Sequence, residues 1–209
     1  MKRIFIMLAL GLMSVSAIAQ DGLKDTWFVT SQIGYSQTKT ADDKSTNVTL
    51  LPIVGHFIKD DLALGIAVGM VNVKSESGST TNANTQLLVI QPLVRKYWGI
   101  ADKFYFFAQG ALPIINGEEK ESELKVSQFG LSFSGGFDYF ISKNFSVEFS
   151  YNLINISQTT LKPKSGEKTT VTDISVAHVA NVEPTYNAAL GGSFPTLTTP
   201  FAFGFKFLF

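Results

Sequence analysis

The stretch Phe201-Ala202-Phe203-Gly204-Phe205-Lys206-Phe207-Leu208-Phe209 constrains this chain more than any other. Phe fills every odd position, while Ala, Gly, Lys and Leu fill the even ones. Successive side chains of a strand point to opposite faces, so the segment has one wholly aromatic face and one small or polar face. Exposed to water, such a strand templates pairing with other chains. Turned toward lipid, the same pattern is favourable, and the rest of the chain decides between the two.

The N-terminus points to export. Lys2 and Arg3 precede an apolar run from Ile4 to Val15, and Ala17-Ile18-Ala19 forms an A-x-A pattern before Gln20. This is the layout of a secretory signal peptide spanning residues 1–19, cleaved between Ala19 and Gln20, with residues 20–209 left as one domain. The apolar run is shorter than the ~20 residues a spanning helix needs. The sequence holds 17 basic and 17 acidic residues, and losing Lys2 and Arg3 takes the mature chain to about −2. No basic field exists to attract nucleic acid. The absence of Cys removes thiolate catalysis, thiolate metal sites and a lipid-anchor cysteine. Beyond the signal, hydrophobic residues are interleaved with Ser, Thr, Asn and Gly, and no run approaches a transmembrane helix. Only helices and closed barrels cross bilayers, so a membrane-embedded chain of this kind must be a barrel.

Alternation predicts eight strands, at Thr26–Thr38, Asn47–Ile58, Leu62–Val73, Thr85–Trp98, Phe104–Ile114, Lys125–Phe140, Phe145–Ile156 and Phe201–Phe209. Most reach the ~9–11 residues of a tilted membrane strand. The connections alternate in length. Three are tight (Lys59-Asp60-Asp61, residues 99–103 and Ser142-Lys143-Asn144), and each follows an aromatic and an Ile: Phe57-Ile58, Trp98 with Ile100, and Phe140-Ile141. Four are longer and polar, near Lys39–Thr46, Ser75–Asn84, Ile115–Leu124 and Ser157–Pro200. Short periplasmic turns opposite longer outer loops define an all-β, eight-stranded, antiparallel up-and-down transmembrane barrel. Pro52 and Pro92 fall inside the second and fourth strands, where lost ladder hydrogen bonds predict bulges.

At this point the chain resembles the small eight-stranded outer-membrane barrels of the OmpA/OmpX kind, the outer-membrane β-barrel or porin-family domain. The resemblance rests on Leu51-Pro52-Ile53-Val54-Gly55-His56-Phe57-Ile58 followed by Asp61-Leu62-Ala63-Leu64-Gly65, on Gln91-Pro92-Leu93-Val94-Arg95-Lys96-Tyr97-Trp98, and on the Phe-ending last strand. It implies residence in the outer membrane of a Gram-negative-type cell. It also implies a structural, adhesive or surface-interaction role through outer loops, and contact with the barrel-assembly machinery through Phe205, Phe207 and Phe209.

An eight-stranded barrel is just wide enough to be filled by its own side chains, here expected to make a polar, ionic interior. Parity turns Asp138, Glu148, Lys206 and Arg95 inward near the periplasmic mouth, where they are expected to form one ionic layer, Lys206 against Glu148, with Gln91 and Gln109 beside it. Such a layer is either a plug or the gate of a small selective channel, and the narrow bore favours the plug. Interfacial girdles are expected from Trp27, Tyr35, Trp98, Tyr139 and Phe209.

A lipid-modifying enzyme is the remaining alternative. His56 lies at the wrong end for it, whereas His178 has Asp173 and Ser175 nearby in an expected outer loop. No sequence motif supports that chemistry, so no catalytic residue is assigned. The acidic pairs Asp42-Asp43 and Glu118-Glu119, with Glu121 and Glu123, read as solvated loop charge rather than a metal site. No cofactor is expected, and the chain reads as a monomer whose partners are outer-membrane lipid and a possible surface ligand. A soluble lipocalin-type barrel is disfavoured because it buries its apolar face inward. Strands six to eight do the reverse.

Overall fold

The computed structural model describes residues 22–176 and 201–209. Among the described residues there are ten antiparallel strands: β1 Trp27–Thr40, β2 Asp43–Lys59, β3 Leu62–Ser77, β4 Thr80–Ala101, β5 Phe104–Ala111, β6 Ile114–Glu119, β7 Leu124–Ser142, β8 Phe145–Lys162, β9 Thr169–Val176 and β10 Phe201–Leu208. They make eight staves, because two staves consist of two strands end to end. β5 and β6 continue one another in unbroken register, with Leu93↔Ala111 giving way to Ile90↔Ile114 on β4 and Ala111↔Ser132 to Ile114↔Phe129 on β7. β9 and β10 both run along β8, opposite its outer and inner halves. The ring closes where β10 meets β1 at Phe28↔Leu208 and Thr30↔Lys206, sealed by reciprocal backbone bonds between Trp27 and Phe209.

The strands are longer than alternation alone suggests. Three stretches expected as outer loops, near Lys39–Thr46, Ser75–Asn84 and Ile115–Leu124, are mostly paired backbone that carries the hairpins outward to tight tips. The interval Ser157–Pro200, expected as one long connection, instead contains the end of β8 and all of β9. Polar Thr, Ser, Asn and Lys disguised these extensions. Their alternation lacks an apolar partner once both faces leave the membrane.

Neither Pro52 nor Pro92 produces a bulge. The β2–β3 register is the same on both sides of Pro52, from Leu50↔Met70 to Ile53↔Ala67, and Ile66 pairs Pro92 within an unshifted run. Pro92 still accepts a backbone bond from Leu112, and Pro113 accepts one from Gly130. Pro92 and Pro113 therefore lack a donor but keep their acceptors, and at Pro52 and Pro92 the neighbouring ladder holds the register. Shifts occur instead beside turns and at Phe133/Ser134, where Leu153 is the extra residue of β8.

The outer wall is apolar across its middle. Leu64, Ile66, Val68, Ile90, Val94, Phe133 and Phe137 all expose more than a third of their surface outward, as do Phe203, Phe205 and Phe207 of β10. A face of this kind needs lipid as its solvent. Aromatics gather at the inner end. Trp27 lies against His56 with ring centroids 4.7 Å apart, Trp98 stacks on Phe106 at 5.6 Å, and Phe104 stacks on Phe137 at 5.5 Å. Trp27, Trp98 and Tyr139 are each close to half exposed, in keeping with an interfacial girdle, and Tyr35 stands exposed toward the outer side.

Candidate functional site: the barrel lumen

The inward face divides into two layers. The lower one is aromatic and ionic. Phe28, Phe57, Ala63, Tyr97, Phe107, Phe140 and Leu208 form a buried cluster, against which Leu23 packs from the segment below the barrel. Small residues make room for these rings. A Cβ on Gly55 lies 2.2 Å from Phe28 Cζ, and one on Gly136 lies 2.6 Å from Phe107 Cζ. Glycine at these two positions is a packing requirement.

Arg95, Asp138, Glu148 and Lys206 converge among these rings, Arg95 level with Ala63 across the β3–β4 ladder. Arg95 donates through Nη1 to Glu148 Oε2 at 2.6 Å and to the Tyr97 hydroxyl at 3.3 Å. Its Nε and Nη2 donate to Gln109 Oε1 at 3.0 and 2.7 Å. Lys206 Nζ donates to Asp138 Oδ2 and to the Tyr97 hydroxyl, the latter at 3.0 Å, and stands 3.1 Å from Glu148 Oε2. Two cations thus meet two carboxylates, so the buried set is electrically balanced. The guanidinium also lies 4.3 Å from the Phe107 ring centroid and the ammonium 5.4 Å from that of Phe28, where ring faces stabilise cations.

Two details differ from the sequence reading. Directly across the ladder, Lys206 faces Ser146 and Glu148 faces Gly204, so the Lys206–Glu148 contact is diagonal and Asp138 is the closer carboxylate. The glycine leaves the space that Glu148 leans across, its Cγ 3.3 Å from where a Cβ on Gly204 would stand. Gln109 joins the network, but Gln91 sits opposite Ala67, too far along β4 to reach it. Tyr97, which bridges both cations, was missed. Its inward parity beside Arg95, two residues away on the same face, was the available signal.

The upper layer is aliphatic, which corrects the expectation of a polar interior throughout. Leu51, Ala67, Val71, Leu87, Val89, Ile115, Val126 and Leu161 form one buried cluster drawn from β2, β3, β4, β6, β7 and β8. Strands two to four carry apolar residues at both parities, as in Leu50-Leu51 and Leu87-Leu88-Val89-Ile90, and that doubled pattern is the sequence trace of this layer.

Near the outer mouth, Glu119 organises the β6–β7 turn. It accepts from the backbone N–H groups of Asn84, Glu121 and Ser122 at 2.9, 3.0 and 2.6 Å, and from the Ser122 hydroxyl. Burial opposes its ionisation, but the Ser122 hydroxyl and the three backbone donors outweigh this and hold its carboxyl down to about 2. Its carboxylate is therefore a turn-building group. Glu123 pairs with Lys164 at 2.6 Å, joining two hairpin tips. Among the described residues no three His, Asp or Glu side chains converge as metal ligands. His56 is an interfacial residue on the outer wall, Asp173 and Ser175 lie on β9 opposite Ser157 and Asn155, and His178 lies outside the described residues. Ala19 and Gln20 also lie outside them.

A ring of antiparallel staves with a lipid-compatible exterior, an aromatic inner girdle and a charge-balanced interior defines a transmembrane β-barrel of the outer-membrane type. The family model described as outer membrane protein beta-barrel domain matches residues 5–192, and the chain belongs to that family. Among solved structures, the crystal structure of the outer membrane protein OprG from Pseudomonas aeruginosa is similar at 15% identity, covering 90% of this chain and 97% of that one with a TM-score of 0.48. Comparison with curated protein sequences gives no match.

Proposed function

We propose that this outer-membrane barrel is a sealed, non-catalytic scaffold that anchors extended hairpins at the cell surface for adhesion or another surface contact. The observation that carries the reading is the double filling of the lumen. Arg95, Asp138, Glu148 and Lys206 occupy its inner half, and the Leu51–Leu161 aliphatic cluster occupies its outer half. An ion crossing the barrel must break a buried charge network and then enter a dry aliphatic layer, and each step carries a cost of several kcal/mol. A channel reading has no comparable support, because rearranging the ionic layer still leaves the aliphatic one in place.

In this reading the variable chemistry lies in the outer tips, where scaffolded loops carry function. Export by the 1–19 signal, assembly through the terminal Phe205, Phe207 and Phe209, and a monomeric state belong to the same proposal. Liposome swelling tests it. Vesicles bearing the folded barrel are expected to exclude monosaccharides and amino acids as protein-free vesicles do, and solute uptake that scales with barrel content refutes the scaffold reading.

A further inference from the structure

The outward side chains of β3, β4, β6, β7 and β8 change character over three successive rows. Val68, Ile90, Ile114 and Phe129 form a row that is apolar and exposed from β3 to β7, with the exposed Gln158 opposite Phe129 on β8. One step outward the row reads Met70, Leu88, Asn116, Ser127 and Thr160. One step further it reads Asn72, Gln86, Glu118, Lys125 and Lys162. Lys125 therefore stands four residues beyond Phe129 on β7, about 10 Å higher along the membrane normal for a strand tilted by ~40°. Over that rise the outer wall passes from apolar to charged, the change of surroundings met in going from acyl chains to headgroups.

An open groove of about 380 Å³ lies across this transition. Met70 and Leu88 form its apolar end, and Gln86, Asn116, Glu118 and Lys125 form its polar end. The Ser127 hydroxyl donates to Asn116 Oδ1 at 2.9 Å, which commits that oxygen and leaves the Asn116 amide hydrogens for another acceptor. Lys125 stands between two direct cross-strand partners on the outward face, Glu118 on β6 and Lys162 on β8; the first is of opposite charge, the second a like-charge pairing that is unfavourable on its own. Among the described residues neither ammonium takes part in an ion pair.

We propose that this groove is a lipid-binding site on the outer wall, taking a phosphorylated glycolipid of the surrounding leaflet. The phosphate sits at the groove's rim, between Lys125, which lines it, and Lys162, which stands beside Lys125 on β8, and relieves their repulsion. Gln86, the Asn116 amide and the Glu118 carboxylate meet sugar hydroxyls, the donors and acceptors such a headgroup requires. An acyl chain continues down over Leu88 and Met70. A lipid, rather than free phosphate, is the occupant because the lower groove wall is apolar and faces the bilayer. The site stands apart from the lumen and does not depend on the scaffold role.

Native mass spectrometry of the folded chain in detergent micelles tests this directly. The protein is titrated with a bisphosphorylated disaccharide lipid and, separately, with the same lipid stripped of its phosphates. The phosphorylated form is expected to bind about 30-fold more tightly, the factor two lysines supply near a membrane surface. The double variant Lys125→Gln/Lys162→Gln is expected to lose that preference, and each single variant to lose part of it. Lys164→Gln, whose ammonium already pairs with Glu123, is expected to keep it. Lys125 and Lys162 are both exposed, so their variants are expected to keep the fold, and the fluorescence of Trp27 and Trp98 checks this. Equal binding of the two lipids by the parent chain overturns the proposal, as does a preference that survives the double variant. Inorganic phosphate displacing the lipid at equal concentration overturns the lipid as the occupant.

Discussion

Replacing Lys206 with Met should destabilise the barrel severely while changing its volume little. Lys206 and Asp138 are fully buried, and Glu148 is nearly so. At the 3.1 Å separation of Lys206 Nζ from Glu148 Oε2, the Coulomb term is about 5 kcal/mol at an effective dielectric of ~20, before desolvation is counted. Removing the ammonium leaves Asp138 with no cation and deprives the Tyr97 hydroxyl of one donor, whereas Glu148 keeps Arg95 at 2.6 Å. Breaking one side of a buried pair costs about 3–5 kcal/mol, and that is the loss expected for Lys206→Met. The double variant Lys206→Met/Asp138→Leu should recover most of it, because paired apolar replacements of buried ions are commonly neutral or stabilising by about 1–4 kcal/mol. Reversible guanidinium unfolding in lipid vesicles, followed by Trp27 and Trp98 emission, measures both. A single variant costing less than about 1 kcal/mol would show that these groups are hydrated, and the reasoning about a dry network would fail.

Three further outcomes follow from specific contacts. Gly55→Ala should cost about 1–3 kcal/mol, since its Cβ lies 2.2 Å from Phe28 Cζ, and Phe28→Leu in the same chain should relieve much of that in the same unfolding assay. Ile66→Arg, in the middle of the lipid face, should destabilise by about 2–4 kcal/mol, whereas Ile58→Arg beside the inner turn should cost about 1 or less; equal costs would contradict the placement of the apolar band. Glu119 is held down to about 2, so its contribution to the β6–β7 turn is complete above the ordinary carboxylate range and is lost as pH falls toward 2. The protection factors of the Glu121 and Ser122 amides, taken relative to the intrinsic exchange rate at each pH, should therefore fall on acidification across that window, and Glu119→Gln should flatten the dependence.

The strands that cross the membrane were legible because lipid on one side and a narrow lumen on the other force period-two contrast. Phe203, Phe205 and Phe207 against Lys206, and Phe137 and Tyr139 against Asp138, show it clearly. Their outward extensions were not legible. At Thr38–Lys44 and Thr80–Asn84 both faces meet water, so neither parity is marked. The aliphatic layer was obscured for the opposite reason, since Leu50 and Leu51 are apolar alike although one meets lipid and the other the lumen. Parity alone could place Arg95, Asp138, Glu148 and Lys206 inward. It could not say which carboxylate each cation approaches, because strand tilt turns direct neighbours into diagonal ones. Pro52 and Pro92 misled for a local reason: a missing donor suggests a bulge, yet the flanking ladders carry the register past it.

Planar-bilayer recording of the purified barrel tests the sealed lumen most directly. The parent chain is expected to give no conductance, and so is Arg95→Ala/Glu148→Ala, because the Leu51–Leu161 layer still closes the outer half when the ionic layer is opened. Steady ion currents from the folded parent chain would contradict the account.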